Sequence, residues 1–342
     1  WSVRNPAHEL AARAAIAADV GDVAVHCSCE VAPAVGEYER FATAVADAYV
    51  GPVLTGFIAR LESRLRGNGF TGQLLVAQAD GGALYAHETR PVYTLQSGPA
   101  GGVIAAANEG VHLGAANVIA TDVGGTSFDV GLVADGELQR ARDPVIGRLR
   151  LSMPMIEVES IGAGGGSLAW ADDLGGLHVG PKSAGAQPGP AAYGRGGTQP
   201  TVTDADVVLG YLNPGYFLDG RMKLHGDLAQ AAVARLAAQV GMSVVATAAG
   251  IFEIANSHMA GLIRRRVLSR GYDPREFVLL AYGGAGPCHC AFYGAESGVR
   301  EVIVPALAGT FSALGVATAP ILHSARATEF AAMPMPAGAF SA

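Results

Sequence analysis

Residues 117–143, NVIATDVGGTSFDVGLVADGELQRARD, decide how the chain folds. Two alternating apolar runs, NVIATDV and SFDVGLVA, flank Gly124-Gly125, and ELQRARD follows Asp135-Gly136. Asp-Gly between alternating runs predicts a two-residue hairpin, and Gly-Gly permits a bend with no Cβ in the way. Three strands joined by tight turns are expected. At the first bend Asp122 ends one strand, Asp129 stands in the next, and Thr126 and Ser127 add hydroxyls. Such a turn can offer backbone N–H groups and hydroxyls to a phosphate, with both carboxylates facing Mg²⁺ through its waters. An ordinary hairpin with an acidic edge is the alternative.

Downstream, MIEVESIGAGGGSLAW reads as a strand running into a glycine loop at 162–166, and 172–200 as a Gly/Pro/Ser-rich loop with short strands. Helices are predicted from a Thr203 cap through Leu212, over 227–240, and over 243–270, where arginines near the end suit the helix dipole. EFVLLAY is a buried-type strand, GGAGP a turn, CHCAFYGAE a helix and REVIVP a strand. The turn at Gly283-Gly284-Ala285-Gly286 repeats the earlier logic, because a helix start after glycines suits an anionic or nucleotide ligand. Upstream, Asn5-Pro6 opens a helix, VAVHCSCEV reads as a short strand, and 36–65 is helical with a break or kink expected at Gly51-Pro52. QLLVAQ is a strand, and SGPAGG (97–102) reads as a glycine loop feeding a helix.

Half of the 342 residues are apolar and 15% are charged, enough for a large core and against wholesale disorder. The net charge of −7 argues against a nucleic-acid partner. No run of about 18 uninterrupted apolar residues proposes a membrane span. The 47 glycines are about twice the usual ~7% share, and they cluster at the bends just described. No G-x-x-x-x-G-K-[ST] or G-x-G-x-x-G fingerprint occurs, and no Ser-His-Asp set is legible from spacing. The cysteines form two C-x-C pairs, Cys27/Cys29 and Cys288/Cys290, a spacing that reads as reduced thiols in a cytoplasmic chain. Cys288-His289-Cys290 invites a metal, but helix neighbours one apart point in different directions, so packing is the expected role. Asp204 and Asp206 read as caps, and Lys182 and Ser183 as either substrate ligands or part of a rigid connector.

Six phrases in order resemble the hydantoinase A/5-oxoprolinase family, whose relatives include acetone and acetophenone carboxylase subunits. They are EYER (37–40), LQSGPAGGV (95–103), TDVGGTSFDV (121–130), IGAGGGSLAW (161–170), GPKSAGAQPGPAAYGRGGTQPTVTDADVVLGYL (180–212) and LLAYGGAGPCHCA (279–291). The resemblance implies an α/β fold of two RNase-H-like lobes, as in actin, sugar kinases and Hsp70-type ATPases, with a nucleotide between them. It further implies that 1–96 is the remainder of the first lobe, 97–325 the second and 326–342 a tail. The family's earlier D-x-G-G-T hairpin and its extension beyond about 325 are not found in the sequence. Gln187 and Ala192 stand where relatives resemble Asp and Cys, which bears on the substrate.

By the same resemblance, Asp122 and Asp129 would hold Mg²⁺ and order water, while Gly124, Gly125, Thr126 and Ser127 cradle phosphate. Gly283 and Gly284 would flank adenosine. Ser97, Gly101 and Gly102 would line the cleft, with Gly164 and Gly165 close by. The implied activity is ATP-dependent opening of a cyclic amide of the hydantoin or 5-oxoproline type. A hydantoinase B-type partner subunit or domain, an oligomer and a cytoplasmic location come with it. A ketone carboxylase subunit and a non-catalytic nucleotide-binding lobe are the alternatives.

Overall fold

In a computed structural model the described residues are 1–324, 326 and 328. They fall into two compact units. One comprises Trp1–Ser97, Arg140–Met155 and the described residues from Pro320 on, and the other Gly98–Gln139 with Ile156–Ala319. The tail expected from 326 lies, Arg326 and Thr328 apart, outside the described residues.

The first unit is mostly helical. Asn5 Oδ1 accepts from Ala7 N at 3.1 Å and starts the helix Ala7–Val20. The strand expected over VAVHCSCEV does not form; Ser28–Val31 is instead a short helix. Its first turn is capped by Glu9, which accepts from Ser28 Oγ at 2.7 Å and Cys29 N at 3.0 Å, a side chain distant in sequence overriding the local pattern. Nor does Gly51-Pro52 break the next helix, which runs unbroken from Glu37 to Gly67. Ahead of the proline, Asp47 accepts from Val92 N at 2.8 Å and pairs with His26 at 2.6 Å. This helix is long and apolar enough to cross a membrane by length and composition. Here it buries Arg40, Thr43 and Asp47, and its Ala42 and Ala46 pack with Val31, Val92, Leu151 and Met153. Leu75–Ala77 and Ala83–Tyr85 pair as a hairpin.

The second unit is built on a six-stranded sheet. Its main path uses β1 (Val118–Val123), β2 (Phe128–Ala134), β3 (Val158–Ile161), β4 (Val278–Tyr282) and β5 (Glu301–Ile303) in the order β3-β2-β1-β4-β5. The first three are antiparallel, while β4 and β5 run parallel to β1. This is the RNase-H-like lobe that the resemblance implied. Asp135 and Gly136 turn the chain after β2 with φ of 55° and 79°, the two positive values a primed hairpin needs.

The helices are α1 (Ser97–Leu113), α2 (Val202–Leu209), α3 (Gly226–Val240), α4 (Val244–Leu268), α5 (Gly286–Ser297) and α6 (Phe311–Thr318); α4 and α5 cover one face of the sheet and α1 and α6 the other. Because side chains alternate along a strand, Ile119, Val123, Phe128, Val130, Leu279 and Ala281 pack under α4 and α5. Val118, Ala120, Val133, Leu280 and Tyr282 pack under α1 and Phe311 of α6. Buried on both sides, β1 and β4 read as near-continuous apolar runs.

Three local expectations are corrected here. The cap of α2 is Thr201 rather than Thr203, in a capping box with Asp204, and Gly210 in the left-handed region ends the helix before Leu212. Asp206 is not a cap. Residues 177–183 are one of the short strands expected within 172–200, paired with Ser167–Ala171, and it takes in Lys182 and Ser183 in place of the polar loop expected there.

Candidate functional site

Asp122 and Asp129 stand directly opposite each other in the β1–β2 register. Alternation sends both to the α1/α6 face, at the end of the strands where Gly124 and Gly125 turn the chain. Each is half-buried, and no lysine or arginine acts on either among the described residues. Burial pushes the Asp122 carboxyl above its ordinary value. The Ser312 hydroxyl, donating to Oδ2 at 3.1 Å, opposes that rise and the Asp129 charge adds to it. Asp129 is raised by burial too, against the pull of Ser160 and Ser127. Ser312 and Ser160 are site residues that sequence spacing did not single out. Two partly desolvated like charges without a counter-charge suit a hard divalent cation.

The turn after β4 meets this pair. Tyr282 is registered against Asp122, and Gly283 follows with φ of 84°. A Cβ at Gly283 would overlap Asp122 Oδ1 and stand 2.5 Å from Val123 O, so only glycine fits. Gly283 N donates to Ala308 O at 3.0 Å and Ala285 N to Val123 O at 2.9 Å, fixing the turn against the end of β1. Gly284 is exposed, with open space around its Cα. The structure therefore brings together Asp122, Asp129, Gly124–Ser127 and Gly283–Gly284.

The loop 162–166 braces the hairpin from beneath. Gly165 N donates to Gly124 O at 3.0 Å and Gly166 N to Gly125 O at 2.7 Å, while Gly164 N is bound to Ser167 Oγ at 2.9 Å. A Cβ on Gly164 would lie 2.7 Å from Gly124 O and 2.8 Å from Thr126 N. Gly164 and Gly165 are buried, and their N–H groups are engaged within the protein. Gly125 and Thr126 are exposed, with nothing within 4 Å of a Cβ on Gly125.

Residues 97–102 are not a loop. Ser97 opens α1, and Gly101 and Gly102 are buried inside it. A Cβ on Gly101 would lie 2.6 Å from Ser312 O, and one on Gly102 would overlap the Tyr282 hydroxyl. These glycines let α1 approach α6 and β4 closely, a packing constraint that also holds Ser312 near Asp122.

The sequence matches the Hydantoinase/oxoprolinase family over residues 40–325. The chain belongs to this family. Among curated members, it is 40% identical to caprolactamase subunit alpha of Pseudomonas jessenii over 98% of this chain and 48% of that protein. It is 41% identical to the acetophenone carboxylase gamma subunit of Aromatoleum aromaticum over 94% of this chain and 45% of that one. The hydantoinase/oxoprolinase fold is also seen in solved structures. A nucleotide-free acetone carboxylase superposes with a TM-score of 0.84 at 34% identity, covering 93% of this chain and 46% of that one. The ATP-dependent caprolactamase from Pseudomonas jessenii gives 0.81 at 41% identity, covering 94% and 47%. The chain thus spans about half the length of the relatives it matches.

Proposed function

We propose that this chain supplies the phosphate-binding lobe of an ATP-dependent enzyme that opens a cyclic amide. The observation that carries this is the seating of Gly283 on Asp122, which draws two glycine bends around one carboxylate pair. Gly124, Gly125, Thr126 and Ser127 hold the phosphates through backbone N–H groups and hydroxyls. Gly283 and Gly284 flank adenosine. Gly164 and Gly165 set the hairpin's position, while Gly101 and Gly102 set that of Ser312. The carboxylate pair, half-buried and without a cation, fits Mg²⁺, which when bound neutralises phosphate charge.

An amide carbonyl is a poor electrophile at neutral pH, and phosphorylation makes it a good one. The amide oxygen attacks the γ-phosphorus, and the bond to the bridging oxygen breaks as ADP leaves. Water adds to the activated carbon, and the C–N bond breaks as nitrogen takes a proton. A second water releases phosphate from the resulting acyl phosphate, leaving the ring-opened amino acid. The residues named here contribute positioning and charge stabilisation rather than covalent chemistry. A partner subunit or domain carries the lactam, a reading supported by relatives that are themselves named as subunits. Four free cysteines accord with a cytoplasmic setting.

The near-equal identity to an acetophenone carboxylase subunit, 41% against 40%, favours one second reading, ATP-driven ketone carboxylation. Release of ADP from the full-length protein with its partner separates the two. Stimulation by a lactam supports the first, and stimulation by ketone plus bicarbonate alone replaces it with the second.

A further inference from the structure

One turn beyond Gly283–Gly286, three unlike metal-binding side chains converge. Asp206 lies on α2 and Cys288 and His289 open α5; one ligand atom from each lies within 4.8 Å of the others. Adjacent helix positions diverge by about 100°, so Cys288 and His289 do not read as a pair in sequence. The donor that both reach comes from another helix.

The cluster is deeply set. His289 is 0% and Asp206 2% exposed, with Nε2 3.4 Å from Oδ2, yet Nε2 and Asp206 Oδ1 have no hydrogen-bond partner. On the other side of the ring, Asn256 of α4 donates from Nδ2 to Phe252 O at 2.8 Å and stands 3.1 Å from His289 Nδ1. Its Oδ1 is also buried and unpartnered. Folded interiors rarely leave such atoms unpaired, and here two carbonyl-type oxygens and an imidazole nitrogen are left together.

We propose that Asp206, Cys288 and His289 bind a divalent cation of the Zn²⁺ type, tying α5 to α2 behind the nucleotide turn. Carboxylate, thiolate and imidazole together suit Zn²⁺, whereas Mg²⁺ takes oxygen donors. Carboxylate and thiolate balance the dication, so the buried site is neutral overall. Cys288 is half-buried, which leaves a fourth, tetrahedral position to water. The thiol gives its proton to solvent when the ion binds. Metal on Nε2 leaves the imidazole's one proton on Nδ1. This site is separate from Asp122 and Asp129 and does not depend on the proposed reaction.

Co²⁺ titration of chelator-stripped, full-length protein tests it, because cobalt reports tetrahedral thiolate ligation in its absorption spectrum. One equivalent should produce a thiolate-to-cobalt charge-transfer band with release of one proton, and Zn²⁺ should bleach the band. Cys288→Ser should abolish the band without lowering the metal-free melting temperature, while Cys290→Ser should keep it. Absence of the band in the wild-type protein at stoichiometric Co²⁺ overturns the proposal. So does a band that survives Cys288→Ser and is lost in Cys290→Ser.

Discussion

Gly283 and Asp122 occupy their positions only together: a Cβ on the glycine would overlap the carboxylate oxygen Oδ1. The turn that ends β4 and the acid that ends β1 are thus one mechanical unit. Gly283→Ala should destabilise the fold by about 1–3 kcal/mol, from the positive φ of 84° and the forced displacement of Asp122. Urea unfolding measures the loss, and an unchanged midpoint would show that the turn yields freely.

Gly125 and Gly164 form a contrasting pair. A Cβ on Gly125 meets nothing within 4 Å, so Gly125→Ala should change stability by no more than about 0.5 kcal/mol while weakening nucleotide binding. Gly164→Ala pushes on Gly124 O and Thr126 N and should lower both stability and affinity. Equal effects of the two substitutions on stability would contradict the distinction between an open cradle and its brace.

The acids at the site oppose folding at neutral pH. Burial raises Asp122 and Asp129 above ordinary carboxylate values, so the folded chain keeps those protons to higher pH than the unfolded chain. Their contribution is complete below the ordinary carboxylate range and is lost as pH rises through the raised folded values. Asp129→Asn should therefore melt higher than wild type at pH 7 without ligand, and ATP turnover should fall at least about 100-fold. Thermal melts across acid to neutral pH check the sign; a lower melting temperature for the variant at pH 7 would contradict it.

Ser312 donates to Asp122 Oδ2 and holds that carboxyl down against burial. With Ser312→Ala the Asp122 carboxyl should rise further, moving the acid limb of the turnover–pH profile to higher pH. A profile that keeps its acid limb would assign Ser312 to packing alone.

Much of this lobe was legible in sequence because its signals are local. Asp135-Gly136 fixes a hairpin, alternation places Asp122 and Asp129 on one face, and the apolar run 278–282 has nowhere to go but a sheet interior. The failures come from distant partners. Glu9 caps a helix where VAVHCSCEV alternates like a strand, and the helix that runs through Pro52 is anchored at Asp47, which accepts from Val92 N. Gly101 and Gly102 resemble a ligand loop in sequence, yet α6 and Tyr282 fill the space beside them. Ser312 carries no motif and Asp206 reads only as a cap, and it is the fold that brings them to Asp122 and to His289.

The central claim is that the carboxylate pair and the two glycine bends grip a magnesium-bound nucleotide. Titration calorimetry of the full-length protein with a non-hydrolysable ATP analogue tests it most directly. Saturable binding should require Mg²⁺ and fall at least about tenfold, some 1.4 kcal/mol, in both Asp122→Asn and Gly283→Ala. Binding of undiminished affinity in both variants would contradict the account.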